Sequence, residues 1–170
     1  MAQEHLTVGV VVERRVIAGN PWIDHAWSPV AVLPDAPDMV PWTSLGRDDH
    51  GERFYLGAAE LTLYSVDTAN FRDNFTFGPP MLWVSIRPTG LEPALELVGV
   101  TADPYEGEGY CQTIGDIIEM LPMPGDVAAH VTAFFDTHHV ERAFIKRQRD
   151  KTDPRKGGRR LPVGPSGGAG

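Results

Sequence analysis

Between residues 7 and 101 the chain repeatedly sets a strand-length apolar run beside a cluster of Gly, Pro, Asn or Asp. Such spacing favours antiparallel connections, because parallel strands need longer, usually helical, crossovers. The run Thr7-Val8-Gly9-Val10-Val11-Val12 is β-branched, stops at Glu13-Arg14-Arg15, and reads as a buried strand. Residues 27–33 read as a second strand, with Pro29 near its start or on an edge. Residues 34–41 are loop-like, carrying Pro34, Pro37 and Pro41. Residues 53–56 and 59–65 form one or two strands, with Leu61, Leu63 and Ser65 on a common face. In residues 81–87, Leu82, Val84 and Ile86 alternate with Trp83 and Ser85, and residues 94–101 make another strand.

Helical signals are fewer. Residues 67–71 read as a short helical turn, and residues 116–121 fit either a strand or a helical turn. The clearest helix covers residues 126–139, where Val127, Val131, Phe134, Phe135 and His138 fall at helical spacing behind Pro124-Gly125-Asp126. The expectation is an α+β fold: an antiparallel β-sheet or small barrel capped by a C-terminal amphipathic helix. Residues 1–149 form the single domain in this reading, and residues 150–170 a basic, Gly/Pro-rich disordered tail.

Charge divides the chain in two. Residues 1–141 hold 6 Arg, no Lys and 21 acids, a net of −15; residues 142–170 hold 9 cations and 2 acids, a net of +7. Such asymmetry marks either an interaction tail or a solvated one. No apolar run approaches the roughly 18 residues of a membrane helix. The opening Met1-Ala2-Gln3-Glu4-His5 lacks signal-peptide character, and Gly19-Asn20-Pro21 follows Arg14-Arg15 too closely for an export signal. Cys111 is the single cysteine, so no intrachain disulfide is possible. A cytoplasmic location is expected.

Most catalytic chemistry lacks its residues. There is no GxxxxGK[ST] loop, and Gly107-Glu108-Gly109 does not lead from a strand into a helix with dinucleotide spacing. No GxSxG elbow is present, and Tyr110 and Gln112 bring no cation to activate Cys111. His138 and His139 are adjacent, so on a helix they diverge by about 100° and cannot easily share a metal. His130 stands two turns from His138, and the pairs Asp24-His25 and Asp49-His50 have no further ligand at regular spacing. No catalytic residue, metal or cofactor is therefore expected, and the chain is read as a non-enzyme.

Two constellations remain as candidate partner-binding residues. Trp22 and Trp27, five residues apart beside turn chemistry, suit mutual stacking, a cap on the sheet, or an anchor for a partner. The helix exit carries His138, His139, Arg142, Lys146, Arg147 and Arg149, with Phe144 and Ile145 to pin the segment. The same cations raise nucleic acid as a partner, but the strongly acidic body opposes a polyanion, so this is disfavoured.

These residues carry a resemblance. Gly9-Val10-Val11-Val12-Glu13-Arg14-Arg15, then Asn20, Trp22, Trp27 and Pro29-Val30-Ala31-Val32-Leu33, resembles the opening of an uncharacterised bacterial family, a domain of unknown function. Leu61 and Leu63, Trp83-Val84-Ser85-Ile86-Arg87-Pro88, Pro104-Tyr105-Glu106, Pro122-Met123-Pro124 and the His138-His139-Val140, Phe144, Lys146-Arg147 ending are similar to it in the same order, over about residues 6–150. At its end the family has Lys-Arg-Lys, where this chain has Lys146-Arg147-Gln148-Arg149. The resemblance implies genes lying beside those of molybdenum formate dehydrogenases and their maturation factors. It implies an accessory or assembly factor for that enzyme, touching one of its subunits or a maturation protein. It brings no catalytic residues. A cofactor-handling enzyme or sulfur carrier of the molybdenum-cofactor pathway, using Cys111 or a pocket beside Trp22 and Trp27, is the alternative. A nucleic-acid-binding regulator acting through the tail is the second.

Overall fold

A computed structural model describes residues 1–19 and 25–141. Its elements run β1 (Gln3–Val16), β2 (His25–Leu33), β3 (Ser44–Arg47), β4 (Gly51–Tyr64), α1 (Thr68–Thr76), β5 (Met81–Pro88), β6 (Leu95–Thr101), α2 (Pro104–Tyr110), β7 (Ile117–Pro122) and α3 (Gly125–His138). All the strand pairs are antiparallel. The class is therefore α+β.

The strands form two sheets, ordered β2-β1-β4-β3 and β6-β5-β7. The sheets approach where β2 runs beside β7 and β4 beside β6. Among the described residues no hydrogen-bonded ladder joins them, so the expected alternatives of one sheet or a closed small barrel give way to two open sheets. Register shifts bend the four-stranded sheet. β1 is offset against both neighbours, between Val10 and Val11 and between Val11 and Val12, and such bulges increase local twist and bend a strand. Gly57 sits at the first offset with φ of 146°, a backbone state that a side chain would disfavour.

Alternation places one face of each strand inside. Val8, Val10 and Val12 of β1, Leu61 and Leu63 of β4, and Leu82, Val84 and Ile86 of β5 are fully buried together. Val127, Val131 and Phe134 of α3 join the same core. The Phe71 ring of α1 meets Phe134 edge-on at 6.3 Å.

Several elements differ in extent from their sequence reading. Residues 53–56 and 59–65 belong to one long strand that begins earlier, at Gly51, and ends at Tyr64. The short turn expected at 67–71 is a nine-residue helix. Residues 117–122 settle as a strand. Strand β3, which is exposed throughout, has no counterpart in the sequence reading. Met1–Val140 makes one compact unit, and the expected boundary between residues 149 and 150 lies outside the described residues.

Candidate functional site

At one end of the four-stranded sheet, opposed residues on neighbouring strands share a face and form a row across it. Arg47 of β3 stands opposite Glu52 of β4, Glu52 opposite Arg14 of β1, and Arg14 opposite Trp27 of β2. Glu52 accepts from the Arg47 guanidinium at 2.8 Å and lies 3.6 Å from that of Arg14. Its other oxygen accepts from the Ser44 hydroxyl at 2.8 Å. The Arg47 and Ser44 bonds hold the Glu52 carboxyl below the usual carboxylate range.

The row ends in an aromatic group. Trp27 meets Trp42 edge-on at 5.5 Å, and both rings lie 5.9 Å from Phe54. The Arg14 guanidinium stands 5.5 Å from the Phe54 ring and 5.9 Å from Trp27, within cation–π range. All three aromatics are half-buried and pack against the core.

Trp42 reaches this place by an unusual backbone. Its φ is 73°, in the left-handed region where a bulky residue is a genuine outlier. Its N–H donates to the Tyr55 carbonyl at 2.6 Å, and the Tyr55 N–H donates to the Thr43 carbonyl at 3.0 Å. Those bonds fix the turn that brings the indole to Trp27 and Phe54. Before it, the proline segment passes close to the sheet: a methyl at Gly9 would lie 3.2 Å from Pro37 and 3.0 Å from Tyr55.

A second row lies on the opposite face of the same strands. Glu13, itself buried, is reached by Arg53 at 3.2 Å and by Arg15 at 3.5 Å. Two glutamates thus hold four arginines. The hairpin between β3 and β4 is closed by Asp48, whose carboxylate accepts from the N–H groups of His50 and Gly51 at 2.8 and 3.0 Å. Gly46, Arg47, Asp48, Gly51 and Arg53 line an open depression of about 320 Å³ beside it.

Of the sequence candidates, Trp27 falls inside this cluster, where it packs on the core and also keeps an exposed edge. Trp42, Phe54, Arg14 and Arg47 were not singled out. Trp22, Arg142, Lys146, Arg147 and Arg149 lie outside the described residues. His138 and His139 do not join Trp27. The His138 ring is 4.5 Å from Phe134, whereas His139 stacks on Phe135 at 4.4 Å and meets the Thr68 hydroxyl at 3.0 Å. Both are half-buried at the exit of α3.

Other polar groups serve local structure. Asp103 caps α2 by accepting from the Tyr105 N–H at 2.9 Å, and Glu106 accepts from the hydroxyls of Thr101 and Tyr110. Burial and the nearby Glu106 push the Tyr110 phenol up. Cys111 is exposed at the end of α2. Among the described residues no three His, Cys, Asp or Glu side chains converge to hold a metal, and no helix is long and apolar enough to cross a membrane.

No curated protein and no solved structure matches the chain. A family model does, over residues 7–149, nearly the whole stretch in which the sequence showed its resemblance. The chain therefore belongs to the family described as Protein of unknown function (DUF3305).

Proposed function

We propose that the protein is a non-catalytic cytoplasmic accessory factor for a molybdenum formate dehydrogenase, acting by contact with a subunit of that enzyme or with one of its maturation proteins. The resemblance drawn from the sequence supports the choice of enzyme. The observation that carries the contact itself is the half-buried group of Trp27, Trp42 and Phe54 with Arg14 across it. Trp and Arg are the residue types that dominate interface hot spots, and a rigid cluster loses little entropy when a partner covers it. In this reading α3 is an amphipathic cap, with Val127, Val131 and Phe134 inward and Asp126, His130 and Asp136 outward.

Deleting the gene should lower formate oxidation while the formate dehydrogenase transcript is unchanged. Restoring the full chain should recover activity, and Cys111→Ser should restore it equally. Unchanged formate oxidation in the deletion strain ends this reading; failure of Cys111→Ser alone moves it to the sulfur-carrier alternative.

A further inference from the structure

We draw no further inference here: the strongest candidate, the half-buried aromatic group of Trp27, Trp42 and Phe54 with Arg14 across it at one end of the four-stranded sheet, belongs to the site already described, and nothing in the structure shows what covers it.

Discussion

Gly107 of α2 lies against the indole of Trp83 in β5, so closely that a methyl at residue 107 would overlap three ring atoms. The helix has seven residues, two of them glycine, and so has little propensity of its own. Its place over the three-stranded sheet depends on this approach. Alanine at 107 would gain roughly 1 kcal/mol of helix propensity. Overlap with a ring held on the sheet costs about 1–3 kcal/mol. Gly107→Ala should therefore lower the urea midpoint on balance; a raised midpoint would contradict the contact.

Ser85 is fully buried on the same strand, and its hydroxyl has no hydrogen-bond partner. Removing an unsatisfied buried hydroxyl relieves a desolvation cost of about 1–3 kcal/mol, against a small loss of packing. Ser85→Ala is expected to be neutral or to raise the melting temperature. A clear drop would show that the hydroxyl has a hidden partner.

Asn74 of α1 makes the opposite case. Its amide donates to the carbonyls of Met81 and Ala102 at 2.8 and 2.9 Å, and its oxygen accepts from the Met81 N–H at 3.0 Å. One side chain thus ties the start of β5 to the segment just after β6. Asn74→Ala leaves three backbone groups without partners in a mostly buried place, at about 2–4 kcal/mol in all. Chemical unfolding should report that loss, with amide exchange rising at Met81.

Acid sensitivity has two opposed parts. Asp48, Glu52 and Asp116 are held low by, in turn, the His50 and Gly51 backbone bonds, the Arg47 bond, and the Arg87 bond. The folded chain favours their ionised forms, so the stability they lend is complete above the ordinary carboxylate range and is lost as pH falls through their lowered values. Asp67 runs the other way: burial first, then Asp103 and Glu106, raise it. Its ionised form is disfavoured in the fold. Asp67→Asn should raise the melting temperature at neutral pH, and the gain should fade as the pH drops towards about 4. Melting curves recorded from pH 7 to 4 check the sign.

Much of the sheet was legible because its signal is local. The β-branched Val8–Val12 stretch of β1 and the alternation of Leu82, Val84 and Ile86 need no knowledge of distant partners. Strand β3 offers Ser-Leu-Gly-Arg, which has no period, and exists because β4 supplies a ladder for it. The α1 segment Thr-Ala-Asn-Phe-Arg-Asp-Asn-Phe-Thr buries Thr68, Phe71 and Asn74, only one of them apolar, so its apolar stripe is too thin to read as a full helix. Trp27 was singled out by residue type and neighbouring turns. Its companions could not be, since the row from Arg47 through Glu52 and Arg14 depends on strand register, and β1 and β4, which bring Arg14 to Glu52, are far apart in sequence. The turn at Trp42 leaves no trace in composition, because φ above zero is expected of Gly or Asn and not of Trp.

β1 is flanked on both edges, by β2 and by β4. During synthesis the first neighbour emerges soon, but the second arrives only with residues 51–64. Until then a valine-rich ribbon keeps one side open to any other nascent chain. Polypeptides cut short before Tyr64 should therefore clump, and the chaperone demand of this protein is set by the wait for its fourth strand.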